Sequence, residues 1–205
     1  MTVFGCYGSL EVMNRKTNQV RIIGGKWRGR KIKFSDLPDL RPTHDRIRET
    51  LFNWLAPVIQ GAACLDLFAG SGALGFEAIS RGAQKATLVD QGPEIITAIN
   101  KNIQMLNAQD SIESICAVFP NISPLKGRSY DIVFLDPPYS QGLLEKACEW
   151  LNEENLLNNE AYVYVEFSNS EPISSFPDNF LQFQSKSTQT LTYKLFKISY
   201  PRKDS

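Results

Sequence analysis

The chain has 205 residues, of which 42% are hydrophobic, and its 22 basic side chains balance 22 acidic ones. This length accommodates one α/β domain with a small appendage. One histidine, His44, and four cysteines without paired spacing disfavour a metal site, a histidine-based triad and disulfides, so we expect buried thiols and no metal. The cysteines are Cys6, Cys64, Cys116 and Cys148. No stretch has the length of a membrane span and no secretion signal is evident, so we expect a cytoplasmic protein.

The zero net charge conceals an asymmetry along the chain. Residues 1–50 contain 11 Lys/Arg and 5 Asp/Glu, a balance of +6, so residues 51–205 carry −6. The stretch from Asn14 to Lys33 contains eight basic residues and no acidic one: Arg15, Lys16, Arg21, Lys26, Arg28, Arg30, Lys31 and Lys33. A stretch of this kind attracts phosphates, and an aromatic residue within it adds a stacking surface. The sequence therefore predicts an RNA-binding segment attached to an otherwise acidic protein.

Apolar residues and glycines within this stretch favour a β-hairpin over a solvated, flexible tail. The apolar residues are Ile22, Ile23, Trp27 and Ile32, and the bend points are Gly24, Gly25 and Gly29. We assign residues 21–40 to the hairpin and 41–205 to a catalytic domain. Residues 1–20 are expected to be a disordered extension or an upstream start assignment, with Met13 as a candidate initiator. The predicted RNA-binding residues of the hairpin are Arg21, Lys26, Trp27, Arg28, Arg30 and Lys31.

The segment from Arg41 to Leu55 is predicted to contain a helix that Thr43 caps. Its apolar residues fall at helical spacing, and they are Ile47, Leu51, Trp54 and Leu55. The polar residues near its start can approach the cofactor, approach the RNA backbone or form surface salt bridges, and the sequence does not separate these roles. We assign Thr43 to the cofactor, and we assign to RNA the residues Arg41, Arg46 and Arg48.

A strand, a glycine loop and a helix are predicted over residues 63–81. The apolar run 63–68 includes Asp66 and leads into Gly70-x-Gly72-x-x-Gly75, and Asp90 ends the next apolar run. Such a loop lets the backbone approach a ligand, while the second acid binds ribose hydroxyls. The pattern suits both a nicotinamide dinucleotide and S-adenosylmethionine. The predicted cofactor-binding residues are Asp66, Phe68, Ala69, Gly70, Ser71, Gly72, Asp90 and Thr43.

The methyl donor is favoured over the dinucleotide by the position of Asp66. A carboxylate ahead of the glycines can face a positively charged ligand, whereas it gains nothing beside a pyrophosphate. The same carboxylate can instead cap loop amides, or serve both purposes.

The run Asp136-Pro137-Pro138-Tyr139 follows a predicted strand over 130–135. The Asp136 carboxylate and the Pro137 carbonyl can accept both hydrogens of an exocyclic amine, and Tyr139 can stack on its ring. These four residues are the predicted catalytic residues, and their chemistry is methylation of a nucleobase amino group. Phe68 is a further candidate for capturing the base, or for cofactor packing or the core. The alternative is a tight turn whose prolines end a strand.

The remaining chain alternates between helices and strands. Helices are predicted over 94–106 and 143–151, with strands within 111–118 and over 161–167. Residues 180–184 and 190–200 are predicted to form an antiparallel pair. This order favours a doubly wound α/β sheet that binds ligands at the carboxyl ends of its strands, where the glycine loop and the DPPY run both fall.

Residues 21–31 (RIIGGKWRGRK), 41–55 (RPTHDRIRETLFNWL), 65–75 (LDLFAGSGALG) and DPPY resemble the bacterial 16S rRNA guanine-N2 methyltransferases of the RsmD type. The resemblance implies a class I methyltransferase fold: a Rossmann-like, mostly parallel seven-stranded sheet with an antiparallel C-terminal strand. It also implies S-adenosylmethionine as cofactor and methylation at N2 of one guanine of 16S rRNA, position 966 in the usual numbering, within the assembling small subunit. Separately from the resemblance, we expect a monomer. Asp90 departs from the Glu of many relatives.

Other functions share some of these features. A DNA adenine-N6 methyltransferase uses the same DPPY chemistry, but the chain leaves no room for a separate sequence-reading domain. A glutamine-modifying protein methyltransferase usually has Asn in place of Asp136. A non-catalytic RNA-binding module explains the basic hairpin but gives the glycine loop and DPPY no role.

Overall fold

The computed structural model describes residues 17–35, 45–139, 142–171, 173 and 175–200. The strands are β1 Thr17–Arg21, β2 Lys31–Ser35, β3 Ala63–Asp66, β4 Lys85–Asp90, β5 Ile112–Cys116, β6 Tyr130–Leu135, β7 Leu157–Ser168, β8 Phe180–Ser187 and β9 Leu191–Ile198. The helices are α1 Asp45–Leu55, α2 Ala73–Ser80, α3 Pro93–Met105 and α4 Leu143–Glu153, with short 3-10 turns at Gly25–Trp27 and Ser123–Leu125.

Seven strands form one sheet in the order β5-β4-β3-β6-β7-β9-β8. The strands from β5 to β7 pair in parallel, and β9 pairs antiparallel with both β7 and β8. The central strand β6 is apolar almost throughout because both of its faces are covered. The predicted Rossmann-like fold with an antiparallel C-terminal end is confirmed.

Two apolar clusters cover the two faces of this sheet. One cluster contains buried residues of α1, α2 and α3, and the other contains those of α4. The predicted hairpin is confirmed as β1 paired with β2, a separate two-stranded sheet. Its apolar side chains lie in the first cluster, and they are Val20, Ile22, Ile32 and Phe34. The hairpin is therefore packed onto the larger domain along its length.

Several element boundaries differ from the sequence expectations. Strand β7 begins at Leu157, four residues before the predicted start, and β8 continues to Ser187. The expectation that residues 1–20 are a disordered extension or an upstream start assignment is wrong for residues 17–20, because Thr17–Arg21 is the first strand of the hairpin, which therefore begins before residue 21. Predictions about residues 1–16, which include Cys6 and Met13, and about Arg41, Thr43 and His44 lie outside the described residues. None of the helices in the described ranges is long and apolar enough to cross a membrane.

Candidate active site

The carboxyl ends of three adjacent parallel strands, β4, β3 and β6, meet at one edge of the sheet, called here the catalytic edge. The glycine loop follows β3, Asp90 ends β4, and Asp136 follows β6. Backbone hydrogen bonds join these ends: Leu67 N–H donates to the Phe134 carbonyl (3.2 Å), and Ala69 N–H donates to that of Val89 (2.9 Å). The sheet thus brings together motifs that lie about 65 residues apart in sequence.

The glycine loop requires glycine at defined positions. Gly70 and Gly72 have φ of 51° and 77°, in the left-handed region that other residues avoid. Gly72 is the N-cap of α2, so the helix amides begin at the loop. A Cβ on Gly75 would lie 2.5 Å from a Leu88 methyl, which indicates how closely α2 packs on β4.

Asp66 is a buried carboxylate immediately before the glycine loop. It has 2% exposure, and its Oδ2 accepts a hydrogen bond from Gly75 N–H at 3.1 Å. Burial raises the pKa of Asp66 to about 7; the Gly75 bond opposes this shift, and the Asp90 charge adds to it. Of the two predicted roles, capping of amides is therefore present. A carboxylate held out of water in this way would be stabilised by a neighbouring cation.

Asp90 binds two segments of the catalytic edge. Its Oδ2 accepts from Gly70 N–H and its Oδ1 from Gly92 N–H, each at 2.9 Å. The side chain is only half-buried, and each carboxylate oxygen can accept a second hydrogen bond. Asp90 thus holds the loop in place while retaining acceptor capacity for hydroxyl groups.

The other predicted cofactor residues of the loop differ in burial. Ser71 and Ala69 are buried, while Phe68 is half-buried and its ring centroid lies 5.8 Å from that of Phe119. Phe68 therefore packs against the second apolar cluster and presents part of its ring at the catalytic edge.

The DPPY run passes from the core to the surface. Asp136 is half-buried, Pro137 is buried, Pro138 is exposed and Tyr139 has 39% exposure. Burial of part of the Tyr139 side chain raises the pKa of its hydroxyl, and the charges of Asp136 and Glu166 add to the effect. Tyr139 therefore remains a protonated hydrogen-bond donor with an exposed ring.

Glu166 is a site residue that sequence reasoning missed. It has 3% exposure, and its two oxygens accept hydrogen bonds from the hydroxyls of Tyr139 (3.3 Å) and Tyr164 (2.7 Å). Pairing of Leu135 with Val165 brings it beside Asp136. The available signal was a single acid within the apolar run 161–167.

The basic side chains of the hairpin lie on its outer surface. The exposed ones are Arg21, Lys26, Arg28, Arg30, Lys31 and Lys33, and Arg46 of α1 is exposed as well. Trp27 is half-buried against the first apolar cluster, with the Lys26 ammonium 4.5 Å from its ring centroid. Only part of the predicted stacking surface is therefore available.

The predicted contact of Arg48 with RNA is wrong. Its side chain has no exposure, its Nη2 donates to Asp45 Oδ1 (2.6 Å) and to the Arg21 carbonyl (2.8 Å), and its Nη1 lies 3.6 Å from Glu77 Oε2. A guanidinium without exposed surface cannot reach a phosphate, whereas it can neutralise buried carboxylates and cap carbonyls. Arg48 therefore joins α1 to the hairpin and to α2.

The cysteine prediction is right in part. Cys64 and Cys148 are buried, but Cys116 is exposed because it ends β5 at the edge of the sheet. Within the ranges that the structure describes, no group of three His, Cys, Asp or Glu side chains is arranged to hold a metal ion.

The fold and the site define a Rossmann-like domain of the methyltransferase class, with an acid on each side of a glycine loop and a DPPY run on the neighbouring strand. A family described as conserved hypothetical protein 95 matches residues 20–197. Ribosomal RNA small subunit methyltransferase D of Escherichia coli (strain K12) is 44% identical over 181 residues, which cover 88% of this chain and 91% of that protein. The chain therefore belongs to this family.

Solved structures agree with this assignment. The Escherichia coli protein yhhF has a TM-score of 0.79 at 44% identity, covering 90% of this chain and 100% of that one. A SAM dependent methyltransferase from Aquifex aeolicus has a TM-score of 0.56 at 15% identity, covering 74% and 89%. The second likeness concerns the fold alone.

Proposed function

We propose that this chain transfers a methyl group from S-adenosylmethionine to the exocyclic N2 of one guanine of 16S rRNA, of the position 966 type, in the assembling small ribosomal subunit. The observation that carries the proposal is the meeting of the glycine loop, Asp90 and DPPY at one edge of the sheet. Its relatives in the family are named as small-subunit rRNA methyltransferases, which supports RNA as the substrate class. The enzyme is proposed to act as a cytoplasmic monomer.

The residues at the glycine loop fit this cofactor. When bound, S-adenosylmethionine supplies a methyl group on a positively charged sulfonium, together with an amino acid group and a ribose. Asp66 offers a desolvated carboxylate that a positive charge stabilises. Asp90 retains acceptor positions for ribose hydroxyls, and the amides that open α2 lie beside Gly72. Phe68 is proposed to pack against the ligand with the exposed part of its ring.

The DPPY run is proposed to bind the guanine amine. The lone pair of N2 is delocalised into the ring, so the amine is a weak nucleophile. Acceptance of its two hydrogens by the Asp136 carboxylate and the Pro137 carbonyl favours the pyramidal nitrogen that attack on a methyl group requires. After transfer, the released proton passes to Asp136 or to water.

Tyr139 is proposed to stack on the guanine once the base has left its own stack. The bond from its hydroxyl to the buried Glu166 holds one end of the side chain while the ring stays exposed. A ring that is oriented before binding loses less conformational entropy when the base arrives. Glu166 is thereby proposed as a positioning residue for Tyr139.

Radiolabelled S-adenosylmethionine offered with small ribosomal particles, naked rRNA, duplex DNA and release factor tests the proposal. Digestion of the labelled product and identification of the modified unit give the readout. We expect N2-methylguanosine from the particles or from rRNA. Recovery of N6-methyladenine or methylglutamine would replace the proposed function with one of the alternatives, and absence of label from every substrate would favour a non-catalytic RNA-binding protein.

A further inference from the structure

The hairpin is attached to the domain through a buried carboxylate that the proposed chemistry does not use. Glu77 lies in α2 and has no exposure. The other seven residues of this helix are also buried, and most of them are apolar, so a charged side chain is unexpected there. Its Oε2 accepts from Ile23 N–H and its Oε1 from Gly24 N–H, each at 2.8 Å. A charged side chain therefore lies next to the first apolar cluster, and hydrogen bonds from two hairpin amides offset part of the cost of its burial.

Two guanidinium groups compensate the Glu77 charge. Arg81 Nε donates to Glu77 Oε1 at 2.7 Å, and Arg48 Nη1 lies 3.6 Å from Oε2. Arg48 also donates to the Arg21 carbonyl of the hairpin. Three segments of the chain, α1, α2 and the hairpin, therefore converge on one carboxylate. Moving the hairpin would take two amide donors from the buried Glu77 carboxylate and the Arg21 carbonyl from the buried Arg48 guanidinium.

The turn of the hairpin, residues 24–27, is fixed by a second set of contacts at the end of α2. Ser80 Oγ accepts from Trp27 N–H (2.9 Å) and donates to the Gly24 carbonyl (2.5 Å). Gly25 lies so close to α2 that a Cβ there would be 1.8 Å from the Ser80 carbonyl oxygen. The backbone of the turn and the end of α2 are in direct contact.

Strand β2 is attached to α3 in the same way. Lys33 N–H donates to Asn102 Oδ1 (3.0 Å), and Asn102 Nδ2 donates to the Lys33 carbonyl (2.7 Å). Arg30 Nη2 donates to the Met105 carbonyl (3.3 Å) at the end of α3. The basic side chains are therefore carried on a hairpin with a fixed orientation.

The turn lies away from the catalytic edge. Helices α2 and α3 both begin there, after β3 and β4, and the hairpin contacts their far ends at Ser80 and Met105. Eight residues of helix measure about 12 Å and thirteen about 20 Å. An RNA that reaches from the catalytic edge to the basic turn must therefore extend over several nucleotides beyond the target base.

We propose that Glu77 and Ser80 position the hairpin turn as a rigid RNA-binding platform remote from the catalytic edge, so that the enzyme requires an extended RNA whose flanking phosphates the platform holds. This inference rests on the proposed function and specifies its substrate class: a structured RNA segment longer than the target loop. Substrate capture depends on the platform, whereas cofactor binding and methyl transfer do not.

Two glycines of the hairpin provide a matched test. Gly25 and Gly29 have φ of 74° and 83°, so alanine carries a similar backbone cost at both positions, but at Gly29 a Cβ would meet nothing within 4 Å. Gly25→Ala should therefore displace the turn from α2 without removing a charge. Gly29→Ala should leave the turn in contact with α2. Both full-length variants are assayed with the small-subunit particle and with a short RNA limited to the target loop, and cofactor affinity is measured separately.

We expect Gly25→Ala to raise KM for the particle about tenfold or more, because several phosphate contacts shift together, while Gly29→Ala stays within about threefold of the unmodified enzyme. With the short RNA, kcat/KM of the two variants should be equal. The platform proposal fails if the two variants have equal KM values for the particle. It also fails if Gly25→Ala loses kcat/KM equally with the particle and with the short RNA. If the unmodified enzyme produces no N2-methylguanosine, it is the proposed function that fails.

Substitutions in the polar contacts give an independent readout. Glu77→Gln replaces one carboxylate oxygen by an NH₂ group that faces a hairpin amide. Ser80→Ala is a milder change, and it is the variant to measure if Glu77→Gln does not fold. Glu77→Gln should speed amide hydrogen exchange at Ile23 and Gly24, and Ser80→Ala should speed it at Trp27, because these are the amides whose acceptors are changed. Each variant should raise particle KM at unchanged cofactor affinity.

The matched control is Asp131→Asn, because the Asp131 carboxylate accepts from Ala63 N–H (2.8 Å) and Asn158 Nδ2 (2.7 Å) away from the hairpin. It should leave the particle KM unchanged. Faster exchange in Glu77→Gln or Ser80→Ala without a change in particle KM would show that the platform does not serve capture.

Discussion

The two ends of α2 use buried carboxylates in opposite ways. At its start, Asp66 is held out of water beside the glycine loop with its pKa raised to about 7. Near its other end, Glu77 is surrounded by two hairpin amides and two guanidinium groups. The first carboxylate is unfavourable in the cofactor-free chain and is suited to a cationic ligand, whereas the second is neutralised within the protein and fixes its shape.

The largest expected effect concerns the catalytic edge. Asp136→Ala should lower kcat about a thousandfold or more, because the acceptor for the amine hydrogens is lost, while cofactor affinity stays unchanged. Single-turnover methylation of the particle, with cofactor affinity determined by calorimetry, measures both quantities. Activity of Asp136→Ala close to that of the unmodified enzyme would show that Asp136 is not a catalytic residue.

Asp66→Asn tests the idea that this end of α2 is built for a cation. The amide retains an acceptor for Gly75 N–H but loses the charge, so cofactor affinity should fall by about ten- to a hundredfold. Affinity of the unmodified enzyme should rise as the pH increases through about 7, because the ionised carboxylate is the form that binds. An affinity that is independent of pH between 6 and 8 contradicts this role.

The same carboxyl group should make the cofactor-free fold less stable at higher pH. The unfolded carboxyl loses its proton near pH 3.8 and the folded one near pH 7, so the folded state binds the extra proton between these values. Stability therefore falls across that window, by about 4 kcal/mol at most, at about 1.4 kcal/mol for each unit of pKa. Asp66→Asn should melt at a higher temperature than the unmodified chain at pH 8, and this difference should shrink towards pH 5.

The contact between Tyr139 and Glu166 predicts a moderate effect. Tyr139→Phe and Glu166→Gln should each lower kcat/KM for the particle about tenfold, the scale of a hydrogen bond to a charged group. If Glu166 acts through the Tyr139 hydroxyl, the double variant should be no worse than either single one. Additive losses would assign Glu166 a separate role.

Tyr164→Phe removes the other hydroxyl that donates a hydrogen bond to Glu166. It should therefore lower the melting temperature and change kcat/KM less than Tyr139→Phe does.

The smallest effects are expected for single charges of the hairpin. Lys26→Gln and Arg28→Gln should each weaken RNA binding a few-fold and reduce the slope of log affinity against log salt by about one. Arg128→Gln is the matched control, since Arg128 pairs with Glu113 at the exposed surface and outside the hairpin. An unchanged slope in the hairpin variants would exclude these side chains as phosphate contacts.

The catalytic edge was the more predictable of the two regions because its signals are local. The DPPY run and the glycine loop each follow an apolar run directly in sequence, and Asp90 ends another such run. Parallel pairing then brings the ends of such runs to one edge without further information. The amide-capping role of Asp66 was among the predicted alternatives for the same reason.

The attachment of the hairpin could not be predicted because its partners lie far apart in sequence. Glu77 and Ile23 are separated by 54 residues, and Asn102 and Lys33 by 69. Arg48 was assigned to RNA since charge alone does not tell a surface arginine from one that faces a distant buried acid. An acid within the apolar helix ALGFEAIS was the one local indication that such a partner existed.

The place of β9 in the sheet affects how the site forms during synthesis. Strand β7, which carries Glu166, pairs on one side with β6 and on the other with β9, made more than twenty residues later. Until Leu191–Ile198 has left the ribosome, the nascent chain exposes β7 as an open edge beside its future pocket. Chaperone protection is therefore most useful at that stage of translation, after the glycine loop and β6 have been synthesised.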